Sequence, residues 1–293
     1  MATKDQIVLA FDAYGTLLST ESISKQLAEH TDGETAATIS AQWRRYQLEY
    51  TWRLNSMSTD PLLFTPSINS LSNPAMHIRY EKTHVAQPSN ARTDQYTPFS
   101  SVTRQSLHHA LAEAKINLPD PAIDSLMQSY NSLNLFPDVQ PLIGRLEDAG
   151  SAFHPVIFSN GTRDMLSATL SSLHADPSPQ AQAPLFSNPE RCVVVDEMPE
   201  GRKRFKPTRE SYEYLLEQVG VGLGKREDRS RVWLVSGNPF DVVGAKACGF
   251  RACWVDRKGA GWVDECVVGE AGRPDVVVRE LGEVVGKISD FVE

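Results

Sequence analysis

The chain has 293 residues, 41% of them hydrophobic, and a net charge of −8. That suits one large domain, or a domain with an insertion, around a sizeable core. The acidic balance excludes non-specific nucleic-acid binding, and no run approaches the roughly 18 apolar residues of a membrane span. The basic triplet Arg202-Lys203-Arg204 reads as a solvated face.

Residues 1–6 lead straight into an apolar run, leaving no room for a signal peptide, so a cytoplasmic protein is expected. Cys192, Cys248, Cys253 and Cys266 form no Cys-x-x-Cys pair, and the scattered histidines give no zinc-like spacing. Reduced thiols and no metal are the expectation.

The first run, Ile7-Val8-Leu9-Ala10-Phe11, ends in Asp12. An unbroken apolar stretch of this length suits a strand buried on both faces of a parallel sheet. Chemistry in such sheets collects outside the carboxyl ends of the strands, where Asp12 would stand. An aspartate there can also be a plain helix cap or turn residue.

Ser24 can start one helix, and Thr38 or Ser40 another. Trp43, Tyr46, Tyr50 and Leu54 recur three or four apart, as on a face packed against the core. Residues 58–98 carry Pro61, Pro66, Pro74, Pro88 and Pro98 among many Ser, Asn and Thr, and read as an irregular surface insert. Helix returns from Phe99 to about Leu135, and Pro137 is expected to initiate the next helix.

A second buried strand, around Val156-Ile157-Phe158, ends in Ser159-Asn160-Gly161-Thr162. A helix from Met165 to Leu173 and a Pro-rich loop follow, then Cys192-Val193-Val194-Val195. Lys206-Pro207 precedes a helix through Leu215 and Leu216. Val232–Val235 is a further strand, ending in Ser236-Gly237-Asn238-Pro239-Phe240-Asp241, and the helix beyond it is closed by Gly249. Ala252–Val255 reads as the last core strand.

Four of these stretches resemble, in order, the motifs of the haloacid dehalogenase superfamily. Asp12-Ala13-Tyr14-Gly15-Thr16-Leu17 resembles the nucleophile motif, in the form of the L-2-haloacid dehalogenases. Ser159-Asn160-Gly161 resembles the second motif, and Lys206-Pro207 with Tyr212 the third. Ser236-Gly237-Asn238-Pro239-Phe240-Asp241 resembles the fourth. Trp43-Arg44-Arg45-Tyr46-Gln47-Leu48 is similar to the family's cap helix. The likeness covers most of residues 5–57 and 99–285, leaving inserts at about 58–98 and 174–200.

The resemblance implies an α/β protein, a doubly wound parallel sheet with a Rossmann-like core and an inserted helical cap. Residues 1–19 and 137–293 would form the core and 20–136 the cap. It implies hydrolysis of small 2-haloacids to 2-hydroxy acids through an ester on Asp12, without cofactor, and it allows a homodimer. Lys206 would set a positive charge beside Asp12, favouring the ionised carboxylate. Arg44 and Asn160 would receive the halide. Ser159 and Thr16 would hold the substrate carboxylate or position Asp12. Asp241, with Ser236 and Asn238, would place and activate water. Tyr14, Leu48 and Phe240 would wall the apolar side, and Tyr212 would order the water or support its neighbours.

Two other readings stay open. The family's phosphatases carry a second aspartate two residues after the nucleophile, where this chain has Tyr14, and a second acid near Asp241, where it has Asn238. A magnesium-dependent phosphatase is therefore the alternative enzyme. A catalytically silent binding protein on the same fold is the other.

Overall fold

The computed structural model describes residues 1–57, 96–174, 188–223 and 226–293. Strand β1 (Ile7–Asp12) lies between β2 (Phe153–Ser159) and β4 (Val232–Ser236), parallel to both. Beyond β2 lies β3 (Cys192–Val194); beyond β4 lie β5 (Arg251–Val255) and β6 (Val276–Val278). Among the described residues this makes one six-stranded sheet of order β3-β2-β1-β4-β5-β6. Val8, Leu9, Ala10 and Phe11 are completely buried, as their unbroken run requires. The winding direction reverses between β1 and β4, so the crevice expected to take a ligand opens at the carboxyl ends of these two strands.

Between β1 and β2 the chain leaves the sheet for helices α1 (Gly33–Met57), α2 (Phe99–Glu113) and α3 (Asp120–Tyr130). Its way out and its way back are paired. Ser19 N donates to Asn134 O and Phe136 N to Leu17 O, both at 2.9 Å, around a bridge between Leu18 and Leu135. The remaining long helices are α4 (Val139–Asp148), α5 (Arg163–His174), α6 (Arg209–Val219), α7 (Pro239–Ala247) and α8 (Val284–Val292).

Several boundaries differ from the sequence reading. Helix α1 starts well before Thr38 and Ser40, because Asp32 caps it: its Oδ1 accepts from Glu34 N at 3.1 Å and Thr35 N at 2.9 Å. The stretch after Phe99 is two helices, separated where Lys115 takes a left-handed φ of 56° and Pro119 follows. Pro137 stands ahead of α4, which begins at Val139, whereas Pro239 is the first residue of α7. β5 is not the last strand: β6 is a three-residue edge strand, too short to show a pattern. The insert expected at 58–98 lies outside the described residues up to 95, as do 175–187 of the second insert. Among the described residues no helix is long and apolar enough to cross a membrane.

Candidate active site

Asp12 ends β1 and is nearly buried. The turn after it needs Gly15, whose φ of +87° suits no side chain, and it brings Thr16 back over the carboxylate. The loop after β4 approaches so closely that a Cβ on Gly237 would lie 2.7 Å from Gly15 O. Two loops from neighbouring strands thus clasp one carboxylate. Thr16 Oγ1 donates to Asp12 Oδ2 at 2.8 Å and accepts from Gly237 N at 2.9 Å. Asn238 Nδ2 donates to the same Oδ2 at 2.7 Å and to Tyr14 O at 3.0 Å. Ser236 Oγ lies 3.5 Å from Oδ2 and accepts from Asn238 N at 3.0 Å.

The other oxygen, Asp12 Oδ1, accepts from Lys206 Nζ at 2.8 Å. The same ammonium donates to Asp241 Oδ2 at 2.6 Å and to Phe158 O at 3.0 Å, so all three of its protons are placed. Tyr212 OH donates to Asp241 Oδ1 at 2.6 Å. Burial alone would lower the Lys206 pKa, but the Asp12 and Asp241 carboxylates outweigh it and hold the pKa above the ordinary lysine value. Burial raises Asp241 above the usual carboxylate range against the pull of Lys206, and Asp12 adds to the rise. The Tyr212 phenol is pushed well up, first by burial and then by the Asp241 charge.

Arg44 reaches this cluster from α1. Its Nη2 donates to Tyr14 O at 3.1 Å and lies 3.5 Å from Asn238 Oδ1; its Nη1 donates to Gln47 Oε1 at 2.7 Å. Asn238 is thus bound on one side of its amide to Asp12 and on the other to Arg44. Neighbouring Arg45 is exposed and lies over the Tyr46 ring.

The other expected residues lie around this centre. Ser159 Oγ accepts from Gly161 N at 2.9 Å. Asn160 Oδ1 accepts from Lys206 N at 2.8 Å, which ties β2 to the lysine loop, and its NH2 group has no partner among the described residues. Tyr14 is buried between Phe99 and Tyr130, with ring centroids 5.7 Å away on each side. Its hydroxyl has no hydrogen-bond partner among the described residues, and burial raises its pKa. Leu48 is half-buried on α1, and Phe240 meets Trp52 of the same helix edge-on at 5.6 Å.

Sequence reasoning overlooked two residues. Gln47 stood within the recognised helix motif but received no role. Asn55, near the end of α1, pairs with the main chain beside Lys206: its Nδ2 donates to Phe205 O at 2.9 Å and its Oδ1 accepts from Phe205 N at 3.0 Å. Gln47 has one local partner, Arg44, but its Thr103 partner and the Phe205 partner of Asn55 lie 56 and 150 residues away, so nothing local in the sequence marks those contacts.

The crevice thus holds a buried carboxylate clasped by neutral donors and one lysine, beside an arginine that meets no carboxylate among the described residues. The chain belongs to the haloacid dehalogenase-like hydrolase family, whose model matches residues 8–249. One relative, (S)-2-haloacid dehalogenase 4A of Burkholderia cepacia, is 27% identical over 249 residues, 85% of this chain and 82% of that one. The fold is shared with L-2-haloacid dehalogenase of Xanthobacter autotrophicus solved with chloropropionic acid covalently bound. Its TM-score is 0.67 at 24% identity, over 97% of this chain and 98% of that one. It is shared more distantly with the HAD-hydrolase YfnB of Bacillus subtilis bound to magnesium, at TM-score 0.55 and 14% identity over 96% and 97%. The fold alone therefore does not choose a chemistry; the side chains must.

Proposed function

We propose that the protein hydrolyses the carbon–halogen bond of small 2-haloacids, with residues 20–136 acting as a cap over the site. The observation that carries this reading is the arginine beside the nucleophile. Among the described residues Arg44 has no carboxylate partner, so its charge is available to an anion. The names of relatives such as the Burkholderia enzyme support the same substrate class.

Asp12 attacks the carbon bearing the halogen through Oδ1, the oxygen with a single donor. The Oδ1–carbon bond forms as the carbon–halogen bond breaks, and the halide leaves towards Arg44 and the Asn160 NH2 group. Water then adds to the Asp12 carbonyl carbon, with Asp241 as base; burial raises the basicity of Asp241. Charge develops on Oδ2, which already faces Thr16 Oγ1 and Asn238 Nδ2 at 2.8 and 2.7 Å, a ready oxyanion site. The bond from the Asp12 carbonyl carbon to Oδ1 then breaks, Asp241 passes its proton to the departing oxygen and frees the 2-hydroxy acid, and the second water proton is released as the Asp12 carboxylate is restored. Ser159 faces the substrate carboxylate, and Tyr14, Leu48 and Phe240 wall the apolar side.

Phosphoryl transfer is the competing chemistry, and it calls for a cation against Asp12. The Asn238 amide nitrogen already bridges Asp12 Oδ2 and Tyr14 O, so a cation on those two oxygens would have to displace it.

The test is one turnover in heavy-oxygen water with enzyme in excess and a chelator present. Product with unlabelled hydroxyl, and label in the peptide holding Asp12, is expected. Fully labelled first product with an unlabelled peptide would remove Asp12 as nucleophile. Activity that vanishes on chelation and returns with magnesium would restore the phosphatase reading.

A further inference from the structure

Gln47 is completely buried on α1, one turn after Arg44. Three helices meet at its amide. Thr103 of α2 spends its own proton on Phe99 O at 2.7 Å, so its oxygen must accept from Gln47 Nε2, also at 2.7 Å. That fixes which way the amide points. Gln47 Oε1 then receives Tyr130 OH of α3 at 2.9 Å and Arg44 Nη1 at 2.7 Å. The reversed amide would set its NH2 group against the Arg44 guanidinium and its oxygen against Thr103 Oγ1, whose proton already goes to Phe99 O.

We infer that Gln47 is the positioning residue for Arg44, and that its neutrality sets how strongly the site depends on the leaving halide. The inference rests on the reading of Arg44 as the halide holder. An arginine on a long side chain needs a fixed partner to stand at one point. A carboxylate would give that partner but would also offset the charge that the halide has to meet. An amide oxygen orients the guanidinium and leaves its charge unspent. The Thr103–Gln47–Tyr130 links carry that orientation from the packed helices to the site.

Stabilisation by Arg44 counts most when the leaving group is poor, because more charge must be supported as the bond breaks. Loss of position should therefore hurt chloro-substrates more than bromo-substrates. The test compares Gln47→Met, Gln47→Glu and Arg44→Ala with the parent enzyme. The readouts are kcat and KM on 2-chloro- and 2-bromopropionate, and inhibition by bromide. In both Gln47 variants kcat on the chloro-acid should fall about 10- to 100-fold, with KM within about threefold. The chloro-to-bromo ratio of kcat should drop, and bromide inhibition should weaken at least about tenfold.

If Arg44→Ala changes these quantities and neither Gln47 variant does, Gln47 only packs and the inference falls. The same holds if Gln47→Glu behaves like the parent, since neutrality would then be irrelevant. If Arg44→Ala leaves bromide inhibition unchanged, the reading of Arg44 itself falls. Should Gln47→Met not fold, Thr103→Val removes the group that turns the amide and must shift the chloro-to-bromo ratio the same way, or the inference fails.

Discussion

Lys206 and Arg44 both stand within the site, and the molecule treats the two cations differently. On the sheet side, Lys206 is 1% exposed and locked between Asp12 and Asp241, its charge answered twice over. On the helical side, Arg44 is half-buried and meets amide, carbonyl and phenol oxygens but no carboxylate among the described residues. A charge bound to carboxylates holds a structure together; a charge held by neutral oxygens remains available to a ligand. In the function proposed above, the sheet side prepares the nucleophile, and the helical side prepares for what the nucleophile expels.

The largest effect should come from breaking the sheet side. Lys206→Met strands two carboxylates in a buried place and should cost about 3–5 kcal/mol of stability as well as the activity. Denaturant unfolding beside an activity assay checks both; a stable but inactive Lys206→Met would contradict the structural half of the comparison.

On the helical side activity and stability should separate. Arg44→Ala should lower kcat roughly 100- to 1,000-fold while the unfolding midpoint barely moves. Arg45→Ala, which among the described residues loses the contact over the Tyr46 ring, should stay within about twofold on activity. The opposite ranking would mean that the wrong arginine faces Asp12.

The smallest effect concerns the far end of the sheet. Burial pushes the His154 imidazole down to about 4, with Arg191, the chain's amino group and Arg231 adding to it. An unfolded histidine binds its proton near 6.5, so between about pH 6.5 and 4 the unfolded chain holds more protons. Stability should therefore decline as pH falls through that window, and His154→Gln should flatten the decline. Urea titrations at neutral and acid pH of both proteins measure it. Equal slopes would assign the acid sensitivity to the carboxylates of the site.

The strand ends were legible because buried parallel strands write themselves as unbroken apolar runs; β1, β2 and β4 declared Asp12, Ser159 and Ser236 in this way. β6 was not, since three valines on a half-exposed edge carry no periodicity. The α1 start was missed because Thr38 and Ser40 are good caps in isolation, while Asp32 outcompetes them with two backbone amides. Arg44 was found through a family likeness, not through its own pattern, which reads as a solvated helix residue. Gln47 was invisible for a physical reason: a polar residue on a helix is ordinarily wet, and only Thr103 and Tyr130 from two other helices make this one dry.

The Asn55 contact bears on how the site can be entered. The helical segment is fastened to the sheet by a paired neck at Leu17–Ser19 and Asn134–Phe136, and at the far end of α1 by the Asn55 amide on Phe205. The neck is continuous with β1, so opening it would drag the nucleophile. Releasing Asn55 breaks two hydrogen bonds to a main chain and moves no charged group. This latch sits one residue before the lysine, and contacts of Trp52 with Phe240 and of Tyr96 and Phe99 with Phe205 join the same edge to the loops of the site. Because the latch reads backbone atoms, the side chain at position 205 can change without undoing it.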